Sequence, residues 1–573
     1  MTVTFETFLT KDPLDNYEDK QKYTQEWLPK VEKYRDNLNK SIPEDLKITL
    51  PKPLEELRLE QFNPLQYMYD ENLLTKEQLD ITESSVSELI NKLGKGELTA
   101  VAVFQAFAKR AIIAHQLTNC YLDIFIDEGL ERAKFLDEYY QKHGKLIGPL
   151  HGIPISLKEH MSYKNKRTHA GYVGLIDNIT PKHGKTTQIL EDLGAVFYVR
   201  TTQPQTLMHL CSNNNFIGLC SNPYNASLTA GGSSSGEGAS VGFGASPLGV
   251  GSDIGGSIRA PAAYSGAFGL RPTTRRVSLL GGVSALAGQE SVPAVIGPFG
   301  RCVEDIEYWM ENYLNEGKPW DRDACAVRMP WRKVETPDLS KLTIGIVYDD
   351  GNVLPTPPIQ RGLKMVAEKL KAAGAKVVEW KPLNAKLAFE TVNKMYACDG
   401  NHNQREFIGK SGEPLCKLTK WSLNYGDGAK VYPVSENRKL NYTRDCLRQE
   451  YLEFMNENNI DFIISPTYNN VAPKLEQAYN WSYTALWNIL DFPTLVFQTG
   501  LKVDPSQDQW PESHKDYKYR SALEELELLD YKPESYKDAP IGLQLTGRRY
   551  EDEEVVAAGK ALVQLIGASI LKK

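Results

Sequence analysis

One stretch constrains this chain more than any other: AGGSSSGEGASVGFGASPLGVGSDIGGSIRAP, from Ala230 to Pro261. It is rich in glycine and serine, yet Val241, Phe243, Leu248, Val250, Ile254 and Ile258 recur through it. A flexible spacer carries no such apolar anchors, so this stretch belongs to a core. Glycine recurs where backbone passes close to other atoms or takes a positive φ. Two phosphate-binding readings fail on spacing. Gly242, Gly244 and Gly249 do not make the G-x-G-x-x-G of a dinucleotide site, and no G-x-x-x-x-G-K-[ST] loop occurs in the chain. What remains is either a packed structural loop or a loop that presents serines beside glycines.

The second reading has a chemistry. In Asp253-Ile254-Gly255-Gly256-Ser257 the small side chains leave backbone N–H groups free to converge on one spot, as an oxyanion hole requires. Ile254, Gly255, Gly256 and Ser257 are the candidate donors, and Ser257 is the candidate nucleophile. Serine needs a base to take its proton. The nine histidines are scattered without a Ser-His-Asp pattern. Lysine serves instead if burial keeps it neutral. Lys158 closes the short apolar run Gly152-Ile153-Pro154-Ile155-Ser156-Leu157-Lys158, although a lysine at a strand end, taken alone, reads as a solvated flank.

Together, GIPISLKE and GGSSSGEGA…GSDIGGSIRAP resemble the amidase signature family, over roughly Glu83 to the C-terminus. The resemblance implies Lys158 as catalytic lysine, Ser257 as nucleophile and Ser233, twenty-four positions earlier, as the bridging serine. It also implies a cis peptide at Gly232–Ser233. The chain departs from the family pattern at Ser235, usually glycine, and Ser252, usually threonine. The implied fold is α/β, a large mixed β-sheet covered on both faces by α-helices. The implied activity is hydrolysis of the C–N bond of amides through a Ser-Ser-Lys triad and an acyl-enzyme, with carbamates (urethanes) and esters as further substrates. The overall pattern resembles fungal acetamidase-type enzymes, so a small amide is the expected substrate. Three alternatives share the scaffold: an amidotransferase A-type subunit, a fatty-acid amide hydrolase (disfavoured by the lack of an apolar anchor) and a non-catalytic binding protein. By position in the family pattern, Leu207, Met208 and His209 border the scissile group. Trp487, with Ile489 and Phe492, is a candidate acyl-pocket wall, with core packing as the alternative. Trp421, Tyr425 and Tyr432 are candidates for an entrance. Asp253 and Arg259 read as a charge pair that supports the loop.

Composition narrows the setting. At 573 residues and 41% hydrophobic content the chain buries a large core. A net charge of −7 gives no nucleic-acid footprint. Eight cysteines without a C-x-x-C pair suggest neither zinc nor a disulfide framework, and no cofactor motif is present. No apolar run reaches the ~18 residues of a membrane span. The N-terminus lacks the basic-then-apolar order of a signal peptide, so a cytoplasmic enzyme is expected. Residues 1–80 read as a helical extension, with helices near Tyr23–Asn39 and Pro64–Tyr69 and a homodimer contact left open. Residues 81–573 read as the catalytic domain, with core motifs over 150–305 and a variable elaboration over about 315–434. Ser85 and Thr99 are placed to cap helices. The periodicity predicts helices over Thr186–Leu193 and Gln360–Ala373, and strands over Ala195–Arg200, Leu342–Tyr348, Lys376–Trp380 and Asp461–Ser465.

Overall fold

The computed structural model describes Phe5 and residues 17–424, 428 and 430–568. Eleven strands make one sheet: β1 Tyr121–Ile124, β2 Pro154–Lys158, β3 Val196–Thr201, β4 Leu248–Asp253, β5 Phe268–Arg271, β6 Val295–Gly300, β7 Thr343–Ile346, β8 Lys376–Glu379, β9 Phe462–Pro466, β10 Thr494–Lys502 and β11 Pro540–Thr546. Their order is β1-β3-β2-β4-β6-β5-β10-β11-β9-β7-β8. The blocks β3-β2-β4 and β9-β7-β8 pair in parallel, and the remaining neighbours are antiparallel. Every residue of β2, β3, β5, β6, β9 and β11 is buried. Side chains alternate between the faces of a strand, so unbroken burial means that both faces are covered. The fold is the expected α/β architecture, a mixed sheet among many helices.

The local readings follow the predicted periodicity closely. Ser85 and Thr99 cap the helices Val86–Gly94 and Ala100–Thr118 through their side-chain oxygens. The predicted helices lie at Lys185–Asp192 and Pro357–Ala372, and the four predicted strands are β3, β7, β8 and β9. The N-terminal helices Leu28–Lys40, Pro64–Asp70 and Lys76–Thr82 send Leu38, Met68 and Ile81 into the same apolar cluster as the sheet residues Ile155 and Val250. These helices therefore contribute side chains to the main core.

Two features place the site. In the parallel pair β2–β4, Leu157 stands opposite Val250, so Lys158 and Ser252-Asp253 leave the sheet at the same edge. Crevices at the carboxyl ends of parallel strands are where α/β sheets hold ligands. The glycines between them are spacers: a Cβ on Gly242 would lie 2.0 Å from the Ser265 carbonyl oxygen. That approach packs the helix Ser235–Phe243 against the segment that follows Arg259–Tyr264.

Candidate active site

The Asp253 carboxylate organises the turn after β4. Its Oδ1 accepts the Gly256 N–H at 2.9 Å and its Oδ2 the Ile258 N–H at 3.0 Å. Arg259 closes on the same carboxylate through Nε at 3.1 Å and Nη2 at 3.0 Å, and Asn488 Nδ2 donates at 2.8 Å. Both charged groups are fully buried. Burial pushes the Asp253 carboxyl up, but the Arg259 guanidinium and the converging donors outweigh it and hold the group well below the usual carboxylate range.

The carbonyls of the turn are held from outside. The Tyr396 hydroxyl donates to the Ile254 oxygen at 2.6 Å, and the Thr484 hydroxyl donates to the Gly255 oxygen at 2.6 Å. The Ser234 N–H donates to the Ser257 oxygen at 3.1 Å. The N–H groups of Ile254, Gly255 and Ser257 have no acceptor among the described residues. The Gly256 N–H is already bonded to Asp253, so three of the four expected donors remain for a ligand. Gly256 serves the turn differently: its φ is +127°, and a Cβ there would stand 2.3 Å from Thr484 Oγ1.

Lys158 lies behind this turn, fully buried. Its Nζ lies 2.7 Å from Ser233 Oγ and 3.1 Å from Ser252 Oγ, both within hydrogen-bond distance. Burial lowers its pKa to about 7, with the Asp253 and Glu237 carboxyls pulling the other way. The Gly232–Ser233 peptide is cis, as the resemblance implied. Glu237, on the helix that follows Ser233, ties the strands beside Lys158 together. It accepts the Ser156 hydroxyl at 2.6 Å and the Thr201 hydroxyl at 2.8 Å, and burial pushes it up to about 8.

Ser233, Ser252 and Ser257 line a cavity of about 380 Å³ together with Val277, Leu279, Leu280, Leu286 and Ile296, and with Arg275, Glu290 and Asp323 among its polar residues. A second cavity of about 30 Å³ meets Ser257 from another side, between His209, Asn393, Tyr396 and Trp481. Leu207 and Met208 line both. They reach that position because Thr206 and Leu207 take φ of 71° and 64°, a left-handed conformation that such residues adopt only when their surroundings impose it. Gln205 supplies an anchor, donating to the buried Glu413 carboxylate at 2.8 Å.

The structure thus brings Lys158, Ser233, Ser257, Leu207, Met208 and His209 to one place. Burial depresses His209 to about 4, and its Nε2 lies 3.4 Å from Thr419 Oγ1, so it stands as a neutral wall residue. Trp487 is elsewhere. It stacks between Trp380 and Phe492 in the core, with its Nε1 donating to Ser465 Oγ at 3.3 Å, and it lines neither cavity. Its apolar helical spacing is core packing, and the acyl-wall reading is withdrawn for Trp487, Ile489 and Phe492. Trp421 is likewise buried, its indole N–H donating to the Tyr479 oxygen at 3.0 Å, and Tyr432 lines neither cavity. Tyr425 lies outside the described residues. The elaboration does reach the site through Asn393 and Tyr396, and the connection after residue 315 reaches it through Asp323 and Cys325. Sequence reasoning passed over His160, Tyr396, Thr484 and Asn488. Only His160 carried a local signal, two positions after Lys158 on the strand end.

The fold and the match agree on the class. Residues 102–556 match the Amidase family model, and the chain belongs to that family: it is a hydrolase acting on amides. It is 37% identical to an acetamidase of Emericella nidulans over 95% of this chain and 99% of that one. A solved structure of a fatty acid amide hydrolase superposes with a TM-score of 0.98 at 62% identity, covering 100% of both chains. A bacterial aryl acylamidase of the amidase signature family shares the fold at 20% identity, with a TM-score of 0.65 over 84% of this chain and 96% of that one.

Proposed function

We propose that Ser257 is the nucleophile of an amide hydrolase with a preference for long or bulky apolar acyl groups. In this reading Ser257 attacks the amide carbonyl as its proton passes to Ser233, and Ser233 passes its own proton to neutral Lys158. The developing oxyanion takes the N–H groups of Ile254, Gly255 and Ser257, each such donor being worth about 10²–10³ in rate. Ser233 and Lys158 then return a proton to the leaving nitrogen, and water cleaves the acyl-enzyme by the same route. A base with a pKa near the working pH is the efficient choice, which Lys158 at about 7 supplies. Carbamates and esters pass through the same tetrahedral oxyanion, so this machinery accepts them in principle.

The observation that carries the acyl preference is the largely apolar cavity of about 380 Å³ lined by Ser233 and Ser257. A two-carbon acyl group would leave most of it unfilled. A fatty acyl chain would bury itself against Leu279, Leu280 and Leu286, and the name of the 62%-identical relative supports the same substrate class. The smaller cavity between Asn393, Tyr396 and Trp481 suits a small leaving amine. The acetamidase likeness favours a second reading, a short-chain amidase. A series of primary amides from two to sixteen carbons separates them, with Ser257→Ala as control. Each buried methylene is worth about 0.8 kcal/mol, so kcat/KM should climb severalfold per carbon until the cavity fills. A kcat/KM that falls from acetamide onward would return the substrate to the small-amide class.

A further inference from the structure

His160 takes no part in the reaction as described, yet it is bonded to the group next to the base. The residue is buried beside the cavity, two positions beyond Lys158. Its Nδ1 lies 3.3 Å from the Val283 carbonyl oxygen, and its Nε2 lies 2.9 Å from Ser252 Oγ. A carbonyl oxygen only accepts, so the Val283 contact places the ring proton on Nδ1. Burial, with the Arg200 cation acting in the same direction, keeps the imidazole neutral, at about 3. Nε2 is then a bare acceptor, and the hydroxyl that faces it, Ser252, must donate its proton there.

That assignment constrains Lys158. Neutral lysine has two N–H bonds and one lone pair, and Nζ has two hydroxyl neighbours, Ser233 and Ser252. If Ser252 turned its proton toward Nζ, the lone pair would be occupied and N–H bonds would face Ser233. Such a lysine could not accept the Ser233 proton. With the Ser252 proton held by His160, Ser252 can only accept from Nζ, and the lone pair is left for Ser233.

We infer that His160, acting through Ser252, sets the polarity of the relay by directing the lone pair of neutral Lys158 at Ser233. His160 is a positioning residue: it exchanges no proton with substrate. In the productive step the Ser233 O–H bond breaks, an N–H bond forms at Lys158, and Ser233 takes the Ser257 proton in the same movement. The inference rests on the proposed role of Lys158 as base.

Four variants test it: His160→Ala, His160→Gln, Ser252→Ala and the double His160→Ala/Ser252→Ala, each compared at equal folded concentration. His160→Ala frees the Ser252 proton to block Lys158, and kcat should drop about tenfold or more, a part of the 10²–10⁴ that general base catalysis supplies. KM should stay within about twofold, since the loss lies in a step after binding. In His160→Gln the side-chain oxygen can accept from Ser252 and the amide N–H can face Val283, so most of kcat should return. The double variant is decisive. Removing Ser252 removes the misdirected proton, so it should turn over faster than His160→Ala alone. A merely structural role predicts the reverse, with the two losses adding. A His160→Ala enzyme at wild-type kcat, or a double variant slower than both singles, overturns the inference. Folded Lys158→Ala with wild-type turnover would instead remove the relay itself, and this inference with it.

Discussion

Replacing Lys158 by methionine should abolish hydrolysis and, at neutral pH, stabilise the protein. In the unfolded chain this amine titrates near 10.5, and in the fold burial brings it to about 7. At about 1.36 kcal/mol per pKa unit, the fold disfavours the charged form by roughly 5 kcal/mol. The sign follows from proton counts. Between pH 7 and 10.5 the unfolded state binds the proton and the folded state does not, so wild-type stability rises with pH across that window. At pH 7, the folded midpoint, about 4 kcal/mol of the penalty is felt; at pH 10, about 1 kcal/mol. Methionine fills a similar volume and carries no charge, but it gives up the bonds to Ser233 and Ser252, worth about 1 kcal/mol each. The variant should therefore gain about 2 kcal/mol at pH 7 and lose about 1 kcal/mol at pH 10. For a chain of 573 residues, ~1.2 kcal/mol moves Tm by about 1 °C. Thermal melts of both proteins at the two pH values should show a gap of about 2 °C at pH 7 that reverses sign at pH 10. A variant that melts below wild type at pH 7, or a gap indifferent to pH, would refute a buried neutral lysine.

Two further outcomes follow from the same geometry. The kcat/KM of the wild type should rise with pH through about 7 as Lys158 loses its proton, and a flat profile between pH 5 and 8 would count against Lys158 as base. Trp487→Ala should cost about 3–5 kcal/mol through the cavity it leaves between Trp380 and Phe492, with the acyl-length preference of the surviving enzyme unchanged. An altered preference would put Trp487 back on the substrate wall.

Much of the fold was legible because its signals are local. The capping residues Ser85 and Thr99 act on backbone N–H groups three positions away, so the helix starts could be read directly. The burial pattern of β3 and β9 is written in their own apolar runs. The strand order was not legible: β5 and β10 pair across more than two hundred residues of chain, and nothing in either segment names its neighbour. Trp487 shows the limit in a single residue. Its helical stretch announces burial, but burial in a core and burial against a substrate have the same pattern, and only the positions of Trp380 and Ser465 distinguish them.

The site divides along the same line. Lys158, Ser233 and Ser257 stand in short motifs whose glycines and spacing are the chemistry of a close turn, so the amino-acid sequence alone sufficed to place the chain among amidases and to mark these three as candidates. The number of backbone N–H groups left free in the turn was decided elsewhere. Asp253 occupies the Gly256 N–H, while Tyr396 and Thr484, 142 and 229 positions away, hold the Ile254 and Gly255 carbonyls of the same turn. The volume beside Ser257, the lowered pKa of Lys158 and the partner of His160 also depend on side chains that converge from separate strands and loops. A motif encodes the conformation of its own backbone, whereas desolvation and hydrogen-bond direction belong to the neighbourhood, and that neighbourhood exists only once the chain has folded.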